Sequence, residues 1–130
     1  MSKILLIEDH ADLMESVSSV LRTAGFDVIQ STNGKDGLAR AQQDRPDVIL
    51  TDLMLPELNG YEICTMLKQD VRYKNIPVII WSATKIQDTD GKLALECGAD
   101  EWALKTLGPQ QLLETIKRLL QTSQGNPAAS

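Results

Sequence analysis

Val48-Ile49-Leu50-Thr51-Asp52-Leu53-Met54-Leu55-Pro56 is an apolar run that stops at an acid and then turns. A short apolar run bounded in this way reads as a strand buried on both faces, as in parallel sheets. Its terminal carboxylate, Asp52, is then held at the rim of the sheet, where ligands of such folds bind. The same design opens the chain, where Ile4-Leu5-Leu6-Ile7 runs into Glu8-Asp9. If the two strands are parallel neighbours, three carboxylates converge on one small volume. That crowding is unfavourable unless a cation or a chemical duty accounts for it. The pattern points to a site for a hard metal, with one carboxylate left to react.

Outward from these two strands, apolar runs alternate with segments of helical period. Leu13, Val17, Val20 and Leu21 share one helix face, closed by Gly25. Phe26–Gln30 reads as the second strand, and Asn33-Gly34 as the entry to a helix over Lys35–Gln43. Asp47–Leu50 is the third strand. Asn59 and Glu62 form a capping box for a helix that carries Ile63, Met66 and Leu67 inward and runs to about Val71. Ile76–Trp81 is the fourth strand, its edge marked by Pro77. A fourth helix over about Asp88–Cys97 ends at Gly98, and Gly91 weakens it. Glu101–Leu104 is a short fifth strand. Gly108-Pro109 opens the last helix, with Leu112, Leu113, Ile116, Leu119 and Leu120 as its apolar face. Five strands alternating with five helices imply a parallel sheet wrapped on both faces through right-handed crossovers. The strand ends then gather Glu8 and Asp9, Asp52, Ser82 and Ala83, and Lys105.

The 130 residues fit one domain, expected over 1–122, with a disordered tail over 123–130 that has nothing to bury. No apolar run approaches the ~20 residues of a membrane span. The apolar stretch before Glu8 is too short for a signal peptide, so a cytoplasmic protein is expected. A net charge of -5 opposes binding by phosphate neutralisation, and no nucleic-acid motif is present. Cys64 and Cys97 lack metal-ligand spacing and read as small buried residues of a reducing compartment. His10 is the single histidine, which argues against a multi-histidine metal site and a histidine-based triad.

Taken together, Glu8-Asp9, Asp52 with Pro56 and Gly60, Ser82-Ala83 and Lys105 resemble the receiver domain of two-component response regulators. The resemblance runs in order from residue 3 to about residue 121. It implies a flavodoxin-like, doubly wound sheet in the strand order 2-1-3-4-5. It also implies Mg²⁺-dependent transfer of a phosphoryl group from a histidine kinase or phosphotransfer protein onto Asp52. Mg²⁺ prefers six oxygens and keeps several waters. Asp9, Asp52 and the backbone carbonyl of Met54 then suffice as direct ligands, with Glu8 reaching the ion through water. Lys105 is implied to pair with the phosphoryl oxygens, and Ser82 to donate its hydroxyl to them. Trp102 stands at the aromatic switch position, usually Tyr or Phe. Trp81, next to Ser82, is expected on the opposite sheet face, in the core.

Thr106 departs from the pattern, which usually has a proline after the lysine, often with a cis bond. A cis bond before a non-proline residue costs ~2.5–4 kcal/mol, so either this loop turns trans and the last helix enters differently, or the strain is tolerated. The resemblance implies signalling through protein–protein contacts on the fourth-helix to fifth-helix face, as a monomer or weak homodimer. The output would be a partner protein or a domain outside this chain. No direct contact with nucleic acid or membrane is expected, and no enzymatic role beyond slow autodephosphorylation. Two alternatives are a phosphorylation-independent pseudo-receiver and the receiver part of a longer DNA-binding regulator. A phosphohydrolase would carry a second acid where Met54 stands. A flavin-binding carrier would carry a Ser/Thr-rich loop after the first strand.

Overall fold

The computed structural model describes residues 2–55, 57–82, 97–104 and 108–123. Five parallel strands form one sheet in the order β2-β1-β3-β4-β5. They are β1 (Lys3–Ile7), β2 (Asp27–Ser31), β3 (Val48–Asp52), β4 (Val78–Ser82) and β5 (Glu101–Leu104). The helices are α1 (Ala11–Thr23), α2 (Gly34–Asp44), α3 (Gly60–Lys68) and a C-terminal helix, Pro109–Ser123. The fold is flavodoxin-like, with the strand order that the family resemblance implies. Of the helix expected over about Asp88–Cys97, only Cys97 lies among the described residues, followed by Gly98 at φ 86. Gly91 and residues 124–130 of the expected tail lie outside them, while Ser123, expected to begin that tail, ends the C-terminal helix.

The central strands read as unbroken apolar runs because both their faces are covered. Ile4, Leu6, Val48, Leu50, Ile79 and Trp81 pack on one side against α1 and the C-terminal helix. Leu5, Ile7, Ile49, Val78 and Ile80 pack on the other against α2 and α3. Ile4 through Ile7 are fully buried, and each such side chain contributes about 1.5–3 kcal/mol. Trp81 is in the core on the α1 side, as alternation requires. Cys64 and Cys97 are both buried.

Two expectations for α3 are corrected. Met66 does not point inward but is 48% exposed. The inner stripe is Gly60, Ile63, Cys64 and Leu67; at 100° per residue, Met66 falls on its flank. The helix also ends at Lys68 rather than near Val71. The Asp70 carboxylate accepts from the Arg72 N–H at 2.9 Å, a local bond that competes with helix propagation. Beyond it, Lys68 Nζ donates to the carbonyls of Lys74 and Ile76 and to Asp100, tying α3 to the start of β4. Strand β4 begins at Val78, because Pro77 has no N–H to give the ladder.

Candidate functional site

Parallel pairing of β1 with β3 aligns Ile7 with Thr51, so the acids that follow each strand emerge side by side. Carboxylate oxygens of Glu8, Asp9 and Asp52 lie within 4.8 Å of one another. Glu8 is fully buried, Asp52 is 6% exposed, and Asp9 faces solvent. The three expected acids therefore form one cluster. Two of them have lost most of their water, which raises the free energy of their charged forms unless a cation or donors compensate.

Backbone geometry fixes where these acids stand. The Glu8 N–H donates to Ser31 O at the end of β2, at 2.9 Å. Leu53 N–H donates to Trp81 O at 3.0 Å, extending the β3–β4 ladder past Asp52. The Met54 N–H reaches Asp52 Oδ1 at 3.4 Å, so the turn folds back over the carboxylate. The Met54 side chain is 74% exposed, leaving the backbone as that residue's contribution to the site.

Helix α3 starts directly against this turn. The Gly60 N–H donates to Leu53 O at 2.9 Å. A Cβ on Gly60 would stand 2.8 Å from Asp52 O, closer than side chains tolerate. The Asn59–Glu62 capping box completes the helix start, with Asn59 Oδ1 accepting from Glu62 N–H at 2.9 Å and Glu62 Oε1 from Asn59 N–H at 3.0 Å.

Ser82 ends β4, is 3% exposed, and pairs in register with Leu104. Its strand neighbours β3, where Asp52 aligns with Trp81. Trp102 is half-buried on the α2–α3 side of the sheet, its ring centroid 5.8 Å from that of Tyr61 and tilted by 45°. Its indole N–H is buried without a hydrogen-bond partner among the described residues. Pro56, Ala83, Lys105 and Thr106 lie outside the described residues.

Nothing in the local pattern marks the close packing of Gly34. A Cβ there would fall 1.8 Å from Leu58 O, in the loop that follows β3. Nor does that pattern single out Ser31, whose hydroxyl donates to Asp36 Oδ2 at 2.7 Å. Small residues at helix starts are the available signal, and they are common for other reasons.

This arrangement has close counterparts. The family model for the response regulator receiver domain matches residues 4–117. Protein PilH of Pseudomonas aeruginosa is 37% identical over 120 residues, covering 92% of this chain and 98% of PilH. The DNA-binding response regulator MtrA of Mycobacterium tuberculosis is 35% identical over 126 residues, 97% of this chain and 54% of MtrA. The chain thus spans about half the length of the MtrA relatives it matches. A solved signal receiver domain of a signal transduction histidine kinase from Syntrophus aciditrophicus superposes with a TM-score of 0.86. It is 31% identical, covering 94% of this chain and 92% of that one. A match through all five strands, to a relative covered almost end to end, places this chain in the family of response regulator receiver domains.

Proposed function

We propose that the chain accepts a phosphoryl group on Asp52 and signals by changing its contacts with other proteins. The observation that carries this reading is the convergence of Glu8, Asp9 and Asp52 within 4.8 Å at the ends of neighbouring strands. Every side-chain donor in that cluster is a hard oxygen, which fits Mg²⁺ better than metals that favour thiolate or imidazole. Asp9, Asp52 and the Met54 carbonyl would hold the ion directly, and Glu8 through water. Bound Mg²⁺ supplies charge neutralisation and an anchor for a phosphoryl oxygen.

Asp52 is the nucleophile in this reading. One of its oxygens forms a bond to phosphorus as the bond to the donor's leaving atom breaks, and that atom keeps the electron pair. The near-complete burial of Asp52 limits the access of water to the product. Ser82 would donate its hydroxyl to the phosphoryl oxygens, and the Lys105 ammonium would balance their charge. Trp102 is the aromatic on β5 that would respond. The donor is a histidine kinase or phosphotransfer protein. The output surface includes β5 and the C-terminal helix, joined by the 2.6 Å pair of Arg118 and Glu101. The chain is an acceptor with at most slow self-dephosphorylation, not an enzyme with turnover.

Intact-protein mass spectrometry after incubation with a small phosphodonor tests this, with and without Mg²⁺. One phosphate adduct is expected, dependent on Mg²⁺ and absent from Asp52→Asn. A stable, folded protein that gains no adduct would instead support a phosphorylation-independent interaction module.

A further inference from the structure

The turn between β2 and α2, Ser31 to Gly34, carries none of the three acids, yet it touches both halves of their pocket. On one side, Ser31 O accepts from the Glu8 N–H at 2.9 Å. On the other, Gly34 lies so close to the loop after β3 that a Cβ would come within 1.8 Å of Leu58 O and 2.6 Å of Leu58 C. The turn is itself braced. Ser31 Oγ donates to Asp36 Oδ2 at 2.7 Å and to Asn33 O at 3.2 Å, and Asn33 Oδ1 caps Asp36 N–H at 2.8 Å.

We infer that this turn is a strut that sets the spacing between the acid pair after β1 and the acceptor loop after β3, with Gly34 as its positioning residue. The inference rests on the proposed Mg²⁺ and phosphoryl site for its functional consequence, but not for its structural one. Leu58 meets Gly34 through backbone atoms, which cannot rotate away as a side-chain tip can. A methyl group at position 34 must therefore displace one segment by about 1 Å or more, and close packing transmits that shift. Misplacement on this scale at a reacting site lowers rates by on the order of a hundredfold. Gly37 supplies a comparison, because the nearest atoms to a Cβ there belong to the buried Ile7 side chain, at 2.5 Å, and not to the Leu58 backbone.

The test compares Gly34→Ala, Ser31→Ala and Gly37→Ala in the full chain. Backbone amide NMR shifts are recorded first, without metal. Gly34→Ala is expected to move the amides of Glu8, Asp9, Leu53, Met54, Leu55, Glu57 and Leu58, whereas Gly37→Ala moves those near Ile7 and α2 and leaves the amides of the loop after β3 in place. Mg²⁺ titration by calorimetry follows. Affinity is expected to fall about tenfold or more in Gly34→Ala, two- to threefold in Ser31→Ala, and clearly less in Gly37→Ala than in Gly34→Ala. Shifts confined to α2 in Gly34→Ala, or wild-type Mg²⁺ affinity in that variant, would overturn the strut. Should Gly34→Ala fail to fold, Ser31→Ala decides alone, and unchanged amides at Glu8 and Asp9 in it count against the strut. If the unmodified chain binds no Mg²⁺ while the amide shifts appear as expected, the proposed function fails and the strut stands.

Discussion

Asp52 combines burial, like-charge neighbours and a turn that folds back over it. A ligand that binds only the folded state stabilises it by about 2.7 kcal/mol at a hundredfold excess over Kd. Asp52→Asn is expected to lose at least half of the stabilisation that Mg²⁺ gives the unmodified chain. Thermal unfolding with and without Mg²⁺ measures this, and equal Tm shifts in both proteins would place the ion elsewhere. The two tryptophans make a second contrast. Trp81 is 2% exposed within the core, so Trp81→Phe leaves a void and should cost about 2 kcal/mol. Trp102 buries an indole N–H without a partner among the described residues, a loss of about 1–3 kcal/mol that phenylalanine removes. Trp102→Phe is therefore expected to change stability by less than about 1 kcal/mol. Urea unfolding separates the two, and a large loss at position 102 would mean that its indole N–H is satisfied after all.

At the scale of elements, α2 carries an acid-sensitive start. The Asp36 carboxyl is held below its ordinary value of 3.8 by hydrogen bonds from Ser31 and Arg40. A carboxyl depressed on folding stabilises the native state above its unfolded value, and that contribution is lost as pH falls through the lower folded value. The side chain is 45% exposed, so the contribution is small and screened by salt. Asp36→Asn should accordingly be less stable than the unmodified chain at neutral pH. The gap should close below about pH 3.8, as the native carboxyl protonates. Urea midpoints measured across that range check the sign; a gap that widened on acidification would contradict it. The hydrogen bond from Ser31 that lowers the Asp36 carboxyl also braces the turn inferred above to act as a strut.

For the whole molecule, the two sheet faces differ in chemistry as well as in packing. Cys64 of α3 and Cys97 before β5 meet on the α2–α3 face, where Cys64 Sγ donates to Cys97 O at 3.4 Å. Burial pushes the Cys64 thiol well above its ordinary range, and the Cys97 thiol beside it adds to the effect. Thiolate is the reactive form. An alkylating agent at mildly alkaline pH is therefore expected to leave Cys64 unlabelled in the native protein and to modify it in denaturant. Rapid native labelling, read by mass spectrometry, would show that this face opens locally.

Much of this was legible in one dimension. Ile4–Ile7 and Val48–Thr51 are continuous apolar runs because neither sheet face is wet, and the acid that ends each run marks the rim. The Asn59–Glu62 capping box and the left-handed glycine at position 98 were readable because their partners lie within a few residues. The orientation of Met66 and the end of α3 were not, since a nine-residue helix has too few turns to define its buried stripe. Sequence alone determined the strands, their alternation with helices and the identity of the three acids, because local periodicity and chain chemistry suffice for these, whereas the strand order came only with the family resemblance. Only the tertiary structure decided how close those acids stand, that Trp102 packs on Tyr61, and that Gly34 lies tight against the loop at Leu58. Each of those depends on contacts between residues far apart in the chain, and no local pattern encodes such distances.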